Sequence, residues 1–318
     1  MMRIISNIYR RGTISWTLAL LMVFAFAGLM ASQNSSANHP VLVEGNNAGN
    51  GGPGSTTVPA GSGGDYDGDG MVGAAEDTDN GADRIFGTIG AALLGANGGA
   101  NANGHVIIVT SGRFPESVMI PNTAGGQTAV NGVTIIEAAP GVQANIDAVL
   151  QGDANNATRM AGSGITINTM STDRGVILRN LAIRNYSEGI TVLGTSRVQV
   201  VNCRLDSNLN FGIRAAGMSR VTVLDSFITA SGMRFTAAGP GTPGPGTGVR
   251  FEEQSTGALI RTTVSGNTAA GVNNASTRGI TLVQSAIFDN DRNFMGGNVA
   301  NPTPFHFASD ATQLDGVE

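Results

Sequence analysis

The stretch RVQVVNCRLDSNLNFGIRAAGMSRVTVLDSFIT, residues 197–229, contains one 23-residue unit and the start of the next. The same spacing extends over residues 174–293. Four glycines there are each followed by a β-branched residue, at steps of 23, 36 and 23: Gly189-Ile190, Gly212-Ile213, Gly248-Val249 and Gly271-Val272. A polar column has the same period: Asn185, Asn208, Ser231, Asn267 and Asn290. The Gly/Pro-rich run 236–247 explains the one long step as an insertion, so the chain is built from repeats.

Apolar residues alternate inside each unit. Val198, Val200 and Leu205 correspond to Val221, Val223 and Ile228 one unit later. Alternation predicts strands with one buried face, and strands that recur in the same direction must be parallel. A unit of this length has no room for a crossover helix. The sequence therefore predicts an all-β solenoid, a parallel β-helix of about 23 residues per coil.

Polar residues also form columns along the expected stack. The asparagine column should lie at a turn, since Asn tolerates left-handed backbone geometry and stacked amides can bond to each other. A second, outward column is Asn202, Asp225, Arg261 and Gln284, in which Asp225 and Arg261 should form an ion pair between coils. Several repeat units have an arginine at their start: Arg174, Arg197, Arg220 and Arg278. They form either a solvated face or a basic ridge for an acidic polymer.

Composition limits the function. The chain has 318 residues, with 46 glycines and 23 acidic residues, and all 18 of its basic residues are arginine. A mildly acidic surface without lysine argues against general nucleic-acid binding. The single cysteine, Cys203, shares a column with Ser226, Thr262 and Ser285, which predicts a buried, inert thiol.

The N-terminus has the pattern of an export signal, residues 1–37. Arg3, Arg10 and Arg11 precede the apolar run 16–30, which is short for a membrane-spanning helix. Cleavage is expected after Ala31 or Ala37, and a retained anchor is the alternative. We expect a secreted, extracellular or cell-surface protein, with the periplasm as a further compartment, and no membrane span after cleavage.

Residues 38–64 are rich in Gly, Asn and Ser and predict a disordered linker. The segment 65–83 begins with DYDGDGMVGAAE, which matches the calcium-loop pattern D-x-D-x-D-G-x5-E. The expected ligands are the side chains of Asp65, Asp67, Asp69 and Glu76 and the carbonyl of Met71. The loop resembles the calcium loops of dockerins and EF-hands; a solvated acidic linker is the alternative. We expect a structural calcium ion, with Val72 anchoring the loop. Asp77, Asp79 and Asp83 continue the acidic run, and the sequence leaves open whether they hold a second ion.

A helix is expected over residues 84–94, followed by an apolar strand from His105 to Val109 and the segment GRFPESVMI, residues 112–120. This order resembles the start of pectin-lyase-like right-handed parallel β-helix proteins. The resemblance implies that a short helix plugs the open end, and we expect the β-helix to span residues 84–295. The 23-residue spacing is lost past Phe294, which predicts a C-terminal cap or tail over residues 296–318. Because that superfamily includes lyases, hydrolases and non-catalytic surface proteins, it implies a fold rather than an activity.

No recognised catalytic set is present in the sequence. The weak candidates are Arg204, Asp206, Asp225 and Arg250, which would have to converge in a groove beside the 236–247 insertion. We therefore expect a structural or binding protein that binds calcium and contacts extracellular or cell-wall polysaccharide. The alternative is a calcium-assisted polysaccharide lyase, or another carbohydrate-active enzyme, on an acidic glycan.

Overall fold

The structure is a computed structural model. It describes residues 40–45, 56–58, 60–61, 64–77, 85–98, 104–121, 133–147, 162–169, 175–232, 235–236, 239–240, 246–296 and 306–307. All of them belong to one compact unit, Pro40–Glu318. The predicted signal segment, the residues Asp79 and Asp83, and Arg174 lie outside the described residues.

Three parallel sheets run along the molecule, and the chain passes from the third to the second to the first in each regular coil. The first sheet, in spatial order, contains His306–Phe307, Ile280–Val283, Thr256–Ile260, Arg220–Leu224, Arg197–Val201, Gly175–Arg179, Thr134–Ala138, His105–Ile108, Val41–Val43 and Ile85–Phe86. The second contains Phe294–Gly296, Ala270–Ser276, Thr247–Glu253, Phe211–Ala215, Glu188–Val192, Ser163–Ile167 and Val118–Ile120. The third contains Ala286–Phe288, Thr263–Ser265, Phe227–Thr229, Arg204–Asp206, Leu181–Arg184, Ala144–Asp147 and Gly112–Phe114.

In the ranges that the structure describes, four short strands and two helices lie outside these sheets. Thr56–Thr57 pairs with Met71–Val72, and Phe235–Thr236 pairs with Gly239–Pro240 inside the insertion, both antiparallel. The helices are Ala74–Asp77 and Ile89–Gly98. The predicted all-β, right-handed parallel β-helix is confirmed. Its alternating residues, such as Val198 and Val200, fill one continuous apolar core.

The glycine column is a packing requirement. A Cβ on Gly212 would lie 2.6 Å from the carbonyl oxygen of Gly248 in the next coil and 2.5 Å from Cγ2 of Ile228. Gly164 belongs to the same column, because a Cβ there would lie 2.9 Å from the oxygen of Gly189. Only glycine fits where neighbouring coils approach so closely.

The buried amide ladder differs from the predicted column by one residue in one coil. Arg184 pairs with Asp206, so Tyr186, and not Asn185, is opposite Asn208. The Tyr186 N–H donates to Oδ1 of Asn208 at 3.2 Å. Placing Asn185 in the ladder was wrong, because the turn between the third-sheet and second-sheet strands of this coil, residues 185–187, is one residue shorter than the turn 207–210 of the next coil.

Left-handed geometry is found in two columns. The outward column, which Asn180 extends by one coil, has positive φ angles of 57°, 50°, 49°, 49° and 48°: Asn180, Asn202, Asp225, Arg261 and Gln284. The column directly before the amide ladder has 65°, 56°, 54° and 52°: Asn185, Ser207, Ala230 and Asp289. In the predicted asparagine column only Asn185 has a positive φ, 65°. The expected ion pair is confirmed: Arg261 donates to Asp225 through Nε at 2.6 Å and an Nη at 2.7 Å.

The N-terminal boundary of the fold was predicted incorrectly. Val41, Leu42 and Val43 are completely buried, in a strand between Ile85–Phe86 and His105–Ile108. The prediction of a disordered linker is therefore wrong at this point, and the β-helix begins before residue 84. Three consecutive apolar residues form a strand here because both of its faces are covered.

The capping helix is present but begins at Ile89, not near residue 84. Ile85 and Phe86 are instead drawn into the sheet beside Leu42 and Val43. Thr88 accepts the N–H of Ala91 at 3.2 Å as the N-cap. Glu116, from the segment that carries the family resemblance, accepts the N–H groups of Ile89 at 2.8 Å and Gly90 at 2.9 Å. This glutamate therefore fixes the helix on the end of the solenoid.

Candidate functional site

The predicted calcium loop brings three of its carboxylates together. Oxygens of Asp65, Asp67 and Glu76 lie within 4.8 Å of one another. Asp65 and Glu76 are buried, whereas Asp67 is exposed and leaves the site open to solvent. Hard oxygen ligands converging on one point suit Ca²⁺.

Backbone N–H groups position Asp65. Its Oδ1 accepts from Gly68 at 2.8 Å, and its Oδ2 accepts from Gly61 at 2.8 Å and Gly70 at 3.0 Å. Gly68 and Gly70 have φ angles of 84° and 83°, which favour glycine and allow the sharp turn. The loop is thus held in its folded shape by contacts of its own.

Glu76 closes the loop from the helix Ala74–Asp77. Its Oε1 accepts the N–H of Tyr66 at 3.2 Å, and its Oε2 accepts the N–H of Gly73 at 2.7 Å. Both oxygens are therefore directed into the loop, the orientation that a bidentate ligand needs.

The pKa values of the aspartates reflect this crowding. Burial acts to raise the pKa of Asp65, but hydrogen bonds from Gly61, Gly70 and Gly68 outweigh it and hold the pKa below its ordinary value. At Asp67 the hydrogen bond from Asp69 lowers the pKa, but desolvation and repulsion by Asp69, Glu76 and Asp65 raise it above the ordinary value. A bound cation would relieve that repulsion.

Asp69 and Met71 are placed differently from the other predicted ligands. Asp69 is not in the group within 4.8 Å, and its Oδ1 accepts the N–H of Met71 at 2.7 Å. In an antiparallel ladder, hydrogen-bonded and non-hydrogen-bonded residue pairs alternate. The N–H of Val58 donates to the oxygen of Gly70 at 3.0 Å, so the next pair, Thr57 and Met71, is a non-hydrogen-bonded one. The Met71 carbonyl therefore points away from Thr56–Thr57 and is available as a ligand.

The loop packs on the outer face of the first sheet. Val72 is completely buried, as expected for the anchoring position, in a second apolar cluster with Leu42, Ile85, Ile107 and Val109. The Tyr66 hydroxyl also donates to the oxygen of Pro40 at 2.7 Å. An ion in this loop would thus stabilise the first coils.

The prediction of a second ion is only partly within the described residues. Asp77 is buried, and its Oδ1 accepts the N–H of Ile85 at 3.3 Å. This carboxylate therefore fixes the start of strand Ile85–Phe86.

The four weak catalytic candidates do not converge. Arg204 and Asp206 lie on the third sheet and pair with each other, Nε to Oδ2, at 2.6 Å. Asp225 is in the turn between the first and third sheets and pairs with Arg261. Arg250 alone lies on the second sheet, next to the insertion. Among the described residues these four side chains therefore lie on different faces of the coil, and the shared groove that catalysis would need is not formed by them.

Arg250 belongs to a charged network that the repeat pattern did not indicate. Nε of Arg214 lies 2.9 Å from Oε2 of Glu252, and an Nη lies 3.6 Å from Oε1 of Glu188. Nε of Arg250 lies 2.7 Å from Oε1 of Glu252, although its N–H is not aimed at that oxygen. The guanidinium also lies 5.3 Å from the ring centre of Phe211. The sequence did contain a signal for this network. Arg214, Arg250 and Glu252 alternate with buried residues of the second sheet, which places them on its outer face.

A cleft of about 600 Å³ lies where the first sheet turns into the third. Its lining includes Phe227, which is 54% exposed, Arg204, and a row of amide side chains. The amides are Gln143, Asn145, Asn180 and Asn202. An exposed aromatic ring beside several hydrogen-bonding groups is the composition of a ligand site.

Cys203 also lines this cleft, but its thiol is buried. Burial raises the pKa of Cys203 to about 12, with hydrogen-bonded backbone groups opposing that shift. The thiolate, which is the nucleophile, is therefore not formed at neutral pH. The predicted burial of this thiol is confirmed.

Parallel coils, three sheets and an apolar column define the chain as a right-handed parallel β-helix protein. The family model for the right handed beta helix region matches residues 118–291, more than half of the chain, and the chain belongs to this family. No curated protein and no solved structure matches it. A domain of this family fits a carbohydrate-related or a structural protein. Within the described residues, no helix combines the length and apolar character needed to cross a bilayer.

Proposed function

We propose that the protein is an exported β-helix protein with a binding role, stabilised by calcium, which holds polysaccharide in the cleft beside Phe227. The cleft is the observation that carries this proposal. A sugar ring has an apolar face that can stack on the exposed phenyl ring, and its hydroxyls can bond to Asn145, Asn180 and Asn202. Arg204, whose side chain is 67% exposed, adds a further donor at the rim.

The regular stacking of coils suits a polymeric ligand. Asn180 and Asn202 occupy equivalent turn positions in successive coils, and Nδ2 of Asn202 donates to Oδ1 of Asn180 at 2.9 Å. Neighbouring strands are about 4.8 Å apart, so similar donors recur along the cleft. A chain of sugars could contact them one after another.

Binding to soluble neutral xylan and glucan, measured by calorimetry and affinity electrophoresis, tests the cleft. Phe227→Ala should weaken binding about tenfold, since aromatic contacts contribute about 0.5–1.5 kcal/mol beyond buried area. Phe288→Ala is the matched control, because Phe288 is also exposed on the third sheet but lies outside the cleft. Equal binding by Phe227→Ala and the wild type would remove the cleft from the proposal.

Calcium binding is supported by the loop geometry and has its own test. At a hundredfold excess over the Kd, calcium should stabilise the folded protein by about 2.7 kcal/mol and so raise its unfolding temperature. We expect a Kd on the order of 10⁻⁴–10⁻³ M outside the cell. Asp65→Asn and Glu76→Gln should each abolish the effect, whereas Asp291→Asn, at an exposed acid remote in sequence, should retain it. Unchanged calcium titrations in both loop variants would show that the ion lies elsewhere.

One observation favours the enzymatic alternative: Glu188 and Glu252 share Arg214 on the second sheet. Two carboxylates on one face are the minimum for glycoside hydrolysis. Both arginines of this face are engaged by glutamates, which weighs against either one acting as the base of a lyase. Incubation with polygalacturonate and alginate, followed by absorbance of unsaturated product and by reducing-end release, decides between binding and catalysis. Product formation that Glu252→Gln abolishes would establish the enzyme.

A further inference from the structure

Three arginines meet in a small cavity at the turn that leads from the second sheet into the first. Arg197, Arg220 and Arg278 line a space of about 140 Å³ together with Thr195, Met218 and Gln254. All three arginines are exposed. The cavity has room for a carboxylate or sulfate group and some water, since one water occupies about 30 Å³ in the liquid.

The register of the parallel strands brings these arginines close to one another. Arg197 and Arg220 are direct neighbours in adjacent parallel strands. Arg220 pairs with Thr256 in the following coil, and Arg278 lies beyond it, one residue before the position equivalent to Arg220. Like charges that face each other across strands destabilise a sheet. The arrangement therefore favours a bound anion.

The nearby acids do not neutralise this group. Glu252 contacts Arg214 and Arg250. Glu253 directs Oε2 to the N–H of Gly217 at 2.8 Å. In the part of the chain that the structure describes, Arg197, Arg220 and Arg278 have no ion-pair partner. The second-sheet arginines, in contrast, are each paired with glutamate.

We propose that Arg197, Arg220 and Arg278 form a binding site for an acidic polysaccharide, whose carboxylate or sulfate groups lie along the solenoid axis. The positive charges occupy positions separated by multiples of about 4.8 Å, the spacing of neighbouring strands. A linear polyanion running across the coils meets them in turn. Met218, which is 55% exposed, provides apolar contact for a sugar ring.

This site is separate from the cleft beside Phe227. Arg197 begins strand Arg197–Val201, whereas Asn202 of the cleft follows its last residue. Five strand residues span about 16 Å. The protein is acidic overall, with a net charge of −5, so a local basic site selects for anionic ligands against a repulsive background.

The test is binding of oligogalacturonides, sulfated dextran and unmodified dextran by calorimetry, at low and physiological salt. Wild-type protein should bind the charged glycans, more weakly as salt rises, and not bind dextran. The triple variant Arg197→Gln, Arg220→Gln, Arg278→Gln should bind them about tenfold more weakly, since each exposed ion pair contributes little. Preference for oligogalacturonide or for sulfated dextran distinguishes carboxylate from sulfate.

Arg292→Gln is the charge-matched control for a single substitution, because Arg292 is exposed and lies outside the cavity. Far-UV circular dichroism checks folding, and Arg220→Gln alone gives a milder variant with the same expected direction. Phe227→Ala should retain oligogalacturonide binding, so failure of the cleft and failure of this site are distinguishable. Equal affinity of the triple variant and the wild type, or equal binding of single-stranded DNA, would overturn the assignment.

Discussion

Substitution of Gly212 by alanine tests the close approach of coils most directly. The added Cβ would lie 2.5 Å from Cγ2 of Ile228 and 2.6 Å from the backbone oxygen of Gly248. The isoleucine can shift slightly, but the carbonyl belongs to the neighbouring coil and moves only with it. Overpacking of this kind costs about 1–3 kcal/mol, and we expect the upper end of that range.

Gly175→Ala is the matched control, since Gly175 is also a strand glycine in a regular coil. A Cβ there meets no atom closer than the oxygen of Arg197 at 3.9 Å. Alanine restricts the unfolded chain, so this substitution should be neutral or stabilise by about 0.4–1 kcal/mol.

Urea unfolding followed by far-UV circular dichroism measures both variants against the wild type. The two unfolding free energies should differ by about 2–4 kcal/mol, with Gly212→Ala the less stable. If both variants unfold at the same urea concentration, then coil spacing is not limited by the glycine column and the explanation of the repeat is wrong.

Three further predictions follow from buried or paired groups. A hydrogen bond from His105 holds the pKa of Glu137 below its ordinary value. The ionised Glu137 therefore contributes its full stabilisation of the fold above the pKa of the unfolded state, and this contribution is lost as the pH falls through the pKa of the folded state. Glu137→Gln should accordingly flatten the acid limb of stability against pH, whereas Asp291→Asn should not. Cys203, 1% exposed, should react with Ellman's reagent only after unfolding, and rapid labelling of native protein would contradict its burial. Leu42→Ala should cost about 2–5 kcal/mol, measured by urea unfolding, because Leu42 is completely buried; a loss below 1 kcal/mol would mean that the N-terminal strand is not part of the core.

The Leu42→Ala prediction conflicts with the disordered linker that composition predicts over residues 38–64. If that linker were disordered, residues 38–80 could be deleted without loss of the strand signal. The structure places Val41–Val43 inside the first sheet and Val72 over its outer face. Deletion should therefore destabilise the first coils. A local sequence rich in Gly and Asn cannot reveal this, because a three-residue strand is recognised only by the partners that cover it.

The predicted calcium loop is the opposite case. The spacing of its expected ligands is local, so the sequence pattern alone predicts that Asp65, Asp67 and Glu76 lie close together, as they do. The glycine turn that brings them together lies in the same twelve residues. No local pattern gathers the weak catalytic candidates. Asp206 lies in a third-sheet strand and Asp225 in a turn, so they are on different faces, as their spacing of 19 residues in a 23-residue repeat predicts.

By itself, the sequence determined the parallel β-helix, its glycine column, the burial of Cys203 and the Asp225–Arg261 pair. These follow from a fixed period, because residues one coil apart must stack about 4.8 Å from each other. Only the tertiary structure decided which residues share a face: the cleft beside Phe227, the paired arginines of the second sheet, and the cavity of Arg197, Arg220 and Arg278. Residues that share a face come from different coils. A one-residue difference in a turn, such as 185–187 against 207–210, changes which side chains lie opposite each other, and only the pairing of strands between coils shows where that difference falls.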